Sequence, residues 1–85
     1  MASSKVWLRR EQLRSLIASA LDEIGYEDGF VSVAISPNLD EVYATTESWR
    51  DDCVLNEKIS EGWFLESADT AEELIERADF YFDLR

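Results

Sequence analysis

Phe30-Val31-Ser32-Val33-Ala34-Ile35-Ser36-Pro37-Asn38-Leu39-Asp40-Glu41-Val42-Tyr43-Ala44-Thr45-Thr46 is the stretch that decides the fold. Val31, Val33 and Ile35 alternate with small residues, the period-two pattern of a half-buried strand over 30–36. Ser36-Pro37-Asn38-Leu39-Asp40 carries turn chemistry: proline presets φ, and Asn and Asp tolerate tight backbone geometry. Glu41–Thr46 is again rich in strand formers. Two strands joined by so short a turn predict an antiparallel hairpin.

Helical periodicity flanks the hairpin on both sides. Leu13, Leu16, Ile17, Ala20, Leu21 and Ile24 fall at i, i+3, i+4, i+7, i+8 and i+11, one face of a helix. Its start lies between Ser4 and Arg9, with Val6 on the same stripe in the longer version. Gly25 is placed to end it, because glycine enters the left-handed region without steric cost. Near the other end, Asp69 with Glu72 three residues later resembles a capping box. Ala71, Leu74, Ile75, Ala78, Tyr81 and Phe82 then share an apolar face. Between hairpin and last helix the pattern is weaker. Cys53, Leu55 and Ile59 share one parity, which predicts a loop followed by a third strand over about 53–58. Gly62 then turns the chain into a short strand, Trp63–Glu66. The expected fold is α+β: a small antiparallel β-meander of three to four strands, with an N-terminal and a C-terminal helix packed on one face, in a single acidic domain over 1–85.

A domain of this size buries only about 60–65% of its unfolded surface, so it needs an efficient core. The supply is adequate: 46% of residues are hydrophobic and ten are aromatic, which argues against disorder despite the charge. Ten aromatics exceed what one small core hides, so some are expected at the surface, where they anchor interfaces. Cys53 is alone, so no intrachain disulfide forms, and it reads as a small core residue. No apolar run approaches the ~18 residues needed to cross a bilayer, and the basic N-terminus lacks the apolar core of a signal peptide. The expected location is cytoplasmic.

Charge is the strongest functional signal. Nineteen carboxylates face eight cations, a net charge of −11. In residues 1–14, Lys5, Arg9, Arg10 and Arg14 against Glu11 leave +3. In residues 15–85, eighteen acids against Arg50, Lys58, Arg77 and Arg85 leave −14. Such a field makes a compact state slightly harder to hold, so it points to a partner. Nucleic acid and anionic membrane would be repelled.

Three groups of residues are candidates for partner binding. On the last helix Glu72, Glu76, Asp79 and Asp83 fall within about 60° of one another at 100° per residue. Like charges four apart disfavour a helix by about 0.2–0.5 kcal/mol per pair. Asp79 and Asp83 also oppose the macrodipole. Glu73 with Arg77 is the one attractive i,i+4 pair. Phe80 projects from the middle of this acidic face. The second group, Asp22, Glu23, Glu27 and Asp28, lies around the end of the first helix. The third places Trp49 beside Glu47, Asp51 and Asp52. A solvated charged face, or pairing within the fold, is the plain alternative for each.

Catalysis is not expected. There is no histidine for a Ser-His or Cys-His pair, no glycine-rich phosphate loop, no EF-hand pattern, and no zinc ligand set from one cysteine. No cofactor or metal is expected. The leading expectation is an acidic inhibitor that occupies a basic nucleic-acid-binding surface. It would resemble in kind the small acidic proteins that phages and mobile elements direct against nucleases, restriction systems and CRISPR-type complexes. That is analogy between classes. The alternatives are an immunity protein or antitoxin against a basic toxin, and a non-catalytic homodimeric adaptor with aromatics buried between subunits.

Overall fold

A computed structural model describes the backbone of residues 2–80 and the side chains of residues 9–80. The expected stripe members Val6, Tyr81 and Phe82, and the candidate Asp83, lie outside those described residues. The elements are α1 (Ala2–Glu23), β1 (Val31–Ile35), β2 (Val42–Thr45), α2 (Cys53–Ser60), β3 (Phe64–Ala68) and α3 (Ala71–Ala78).

α1 ends as its sequence dictates. Gly25 has φ +68, Tyr26 N–H donates to the Leu21 carbonyl at 3.0 Å, and Gly25 N–H donates to that of Asp22 at 3.1 Å. These are the paired bonds of a Schellman motif. α2 closes the same way: Gly62 has φ +97, with Trp63 N–H on Lys58 and Gly62 N–H on Ile59, both at 3.0 Å. A β-carbon on either glycine would meet nothing within 4 Å, so backbone conformation, not space, selects glycine there.

The fold is α+β, with an antiparallel three-stranded sheet ordered β2-β1-β3. The expected hairpin forms, with Val33 opposite Ala44 and Ile35 opposite Val42. β3 then pairs with β1, Val31 opposite Ala68 and Ile35 opposite Phe64. This corrects the meander order. β3 does not follow β2 in the sheet but crosses over to the far side of β1. The crossover is α2, which also corrects the strand expected over 53–58. Asp52 caps α2, accepting from Leu55 N–H at 3.0 Å. Leu55 and Ile59 are therefore an i,i+4 helical pair, and Cys53, expected in the core, is exposed. α3 starts one residue later than expected: Thr70, not Asp69, accepts from Glu73 N–H at 3.1 Å.

Register assigns the faces. Val31, Val33 and Ile35 face the main core with Leu13, Ile17 and Leu21 of α1 and Leu74 and Ala78 of α3. Ser32 and Ala34 point the other way, level with Tyr43, Thr45, Leu65 and Ser67. α2 lies on that side, with Leu55 fully buried. β1 is accordingly buried along its whole length rather than on one face. Its small residues let α2 approach closely, and Ser32 Oγ lies 2.9 Å from Ser67 Oγ.

Leu39 in the hairpin turn has φ +63, a conformation that costs a non-glycine residue about 1 kcal/mol. It is held there because its side chain enters the core. Ser36 Oγ fixes the turn by accepting from the N–H groups of Asp40 and Glu41 at 3.0 and 2.9 Å. Leu39→Gly relaxes the backbone but empties the site, and losing a buried leucine costs about 2–5 kcal/mol. Net destabilisation of about 2 kcal/mol is expected in urea unfolding. A stabilised variant would mean that backbone strain outweighs burial.

Candidate partner-binding surface

The strand directions bring together acids that are far apart in sequence. β1 begins at the end of the sheet where β2 and β3 finish. The loop entering β1 carries Glu27 and Asp28, the loop leaving β2 carries Glu47 and Asp51, and the chain leaving β3 carries Asp69. α3 starts at the same end with Glu72 and Glu73 in its first turn. All seven are exposed. Among the described residues, no cation pairs with any of them. Two exposed aromatics accompany them, Phe30 (42%) and Trp49 (44%). The register continued one step sets Phe30 level with Glu47 and Asp69. The Arg50 guanidinium lies 5.3 Å from the Trp49 ring centre.

Three expected features are placed differently. Asp79 does not continue the acidic row. α3 ends at Ala78, and Asp79 accepts from Arg14 Nη2 of α1 at 2.7 Å. That pairing offsets the unfavourable position of an acid at a helix C-terminus. The hydrogen bond to Asp79, then its charge, raises the Arg14 pKa further. Arg77 turns to the Ser67 carbonyl rather than to Glu73. Asp52 is structural: besides capping α2 it accepts from the Tyr43 hydroxyl at 2.8 Å. Burial alone would raise the Asp52 pKa, but hydrogen bonds from Leu55 N–H, Thr45, Tyr43 and Val54 N–H outweigh it and hold the carboxyl below its usual range. Its contribution to stability is present at neutral pH and lost as pH falls through that lowered value.

Tyr43 is pushed up to about 12 from 10.0, first by burial and then by its bond to Asp52. Its stabilising effect is therefore intact below pH 10.0 and lost as pH rises through about 12. The urea midpoint is expected to fall across that window in the native chain and to fall less in Tyr43→Phe. An identical alkaline decline in both would remove Tyr43 from the account.

The remaining candidates divide. Glu72 and Glu76 stand exposed one turn apart on α3, and Phe80 follows, 60% exposed. Asp22 and Glu23 are exposed in the last turn of α1, but Glu23 lines a groove with Glu41, Val42 and Tyr43, away from the acidic sheet end. Asp51 accepts from Ser48 Oγ at 3.0 Å. Asp69 and Glu73 join this surface although the sequence pattern marks the first as a helix cap and pairs the second with Arg77. A clue was available: both lie where a strand gives way to a helix start, so a correct strand order would have grouped them.

No family model, curated protein or solved structure matches this chain. Among the described residues no group of three or more cysteines and carboxylates is placed to hold a metal ion, and no helix is long and apolar enough to cross a membrane.

Proposed function

We propose that this protein is an acidic inhibitor that docks on a basic nucleic-acid-binding surface of another protein and excludes the nucleic acid by occupying its place. The observation that carries the reading is the gathering of seven exposed carboxylates, from three loops and the start of α3, at one end of the sheet. These charges would take the positions of backbone phosphates opposite the partner's lysines and arginines. Glu76, one turn beyond Glu72, extends the row along α3 by about 6 Å. Phe30 and Trp49 supply apolar contact within the charged field, the arrangement that gives an interface an anchor as well as steering. The protein acts by binding, without turnover, in the cytoplasm.

Steering of this kind weakens with salt, since exposed charges are screened beyond about 10 Å at 0.1 M. The test is capture of partners from a cell lysate on the immobilised protein at low and at moderate salt. The expected result is recovery of a nucleic-acid-processing protein that is eluted by added DNA or RNA. A captured partner indifferent to nucleic acid would redirect the reading to an immunity-type interaction, and a partner held equally at low and at moderate salt would contradict the electrostatic basis.

A further inference from the structure

A groove separate from the acidic sheet end runs along the outer side of β2. Its first part, about 480 Å³, lies between α1 and the hairpin turn at Leu39 and Asp40. Its second part, about 370 Å³, continues past Val42 and Tyr43 to Lys58 and Trp63. The two share Leu16, Ser19 and Asp40, so they adjoin along β2. β2 is an edge strand, paired with β1 on one side and with no described strand on the other. An edge beside a groove offers main-chain donors and acceptors to an extended segment. The apolar lining is Leu16, Leu39, Val42, Tyr43 and Trp63, while Glu11, Glu23, Asp40 and Glu41 supply the acidic walls. Asp40 is held in place by Ser36, whose hydroxyl donates to it at 2.8 Å. Lys58 is the cation of the second part of the groove, and its ammonium is drawn onto aromatic faces, 4.0 Å from the Trp63 ring centre and 5.8 Å from that of Tyr43. The two rings thus form a seat that already suits a cation.

We propose that this groove binds a basic, extended segment of a protein partner, laid alongside β2. Alternate side chains of a strand point to opposite sides, so apolar residues of the segment enter the lining while its lysines or arginines meet the acidic walls. The carboxylates disfavour an acidic peptide or a nucleic acid. A second copy of this chain is a poor occupant, because β2 carries no cation to offer and β3 carries Glu66. The proposal concerns a different surface from the acidic sheet end and does not rest on the nucleic-acid reading.

The test is titration of the isotope-labelled full chain, at about 0.15 M salt, with a short peptide alternating lysine and valine. A control alternates lysine and proline, with equal charge but without the amide donors that strand addition needs. Expected are amide shifts confined to residues 16–23, 39–43 and 58–63, and affinity for the control at least about tenfold weaker. Glu23→Lys with Glu41→Lys should weaken the lysine-valine peptide about tenfold. Neither of these side chains holds the turn, so the fold is kept. Lys58→Met should tighten binding severalfold by removing the competing cation. Equal binding of the two peptides, shifts centred on residues 27–28, 47–51 and 69–76, or no shifts at all would each overturn the proposal.

Discussion

Leu55→Ala should lower the stability of this domain by about 3 kcal/mol, the middle of the range for emptying a buried leucine site. The expected effect is large because Leu55 is the fully buried residue of α2. An eight-residue helix is too short to persist in water by propensity alone, so α2 depends on docking. Its docking covers Ser32 and Ala34, which β1 would otherwise leave open. For a domain of this size about 3 kcal/mol corresponds to a fall in Tm of about 12–24 °C. Total stability is about 4–13 kcal/mol at typical values per residue, so the variant keeps a reduced margin at best. Leu55→Met, which conserves volume, should lose less than about 1.5 kcal/mol. Thermal unfolding of the two variants checks this. A shift of only a degree or two for alanine would show that α2 is not what closes that face of the sheet.

Glu72→Lys with Glu76→Lys should weaken binding to the partner by at least about thirtyfold, with Tm changed by only a few degrees. Close charge pairs across interfaces have measured couplings of about 1.5–7 kcal/mol, and reversal replaces attraction with repulsion. Two sites at the low end give about 3 kcal/mol, above the about 2 kcal/mol that thirtyfold requires. The fold should tolerate the change because both side chains are exposed and unpaired among the described residues. Lysine near the start of α3 opposes the dipole at a cost of about 0.3–1 kcal/mol. Glu72→Gln with Glu76→Gln avoids that cost and should show a smaller loss of affinity in the same direction. Asp79 is not a suitable partner for such a reversal, since a lysine there would face Arg14 and disturb the α1–α3 contact. Calorimetric titration against the captured partner is the measurement. Unchanged affinity in both pairs would remove α3 from the interface.

These expectations show which features are written locally. The hairpin was legible because alternation and turn chemistry agree within seventeen consecutive residues. α1 and α3 were legible from one apolar stripe each, and Gly25 from its place at the end of a stripe. α2 was not. Cys53, Leu55 and Ile59 fit a strand by parity, and the decisive signal was Asp52 as a cap with Leu55 and Ile59 four apart. The pairing of β3 with β1 joins residues 29 to 37 apart, and no local pattern specifies it. The candidate surface inherits that difficulty. The excess of acids is plain in the sequence, and Phe80 is exposed as its position on the helix suggests, whereas the exposure of Trp49 is settled only by the fold. Gathering Glu27, Glu47, Asp69 and Glu72 at one end required the strand order. Asp79 and Asp52 were lost to the surface through partners 65 and 9 residues away, Arg14 and Tyr43.

In the proposed mode of action, the carboxylates at the acidic sheet end displace a nucleic acid from a cationic protein. The most direct measurement is the apparent Kd of the captured partner for its DNA or RNA at increasing concentrations of this protein and fixed ionic strength. A linear rise in that Kd with no plateau is expected, the signature of mutually exclusive binding, and its loss in the Glu72→Lys, Glu76→Lys chain. A Kd that stays constant while this protein is bound, so that partner, nucleic acid and protein form one complex, would contradict that mode of action.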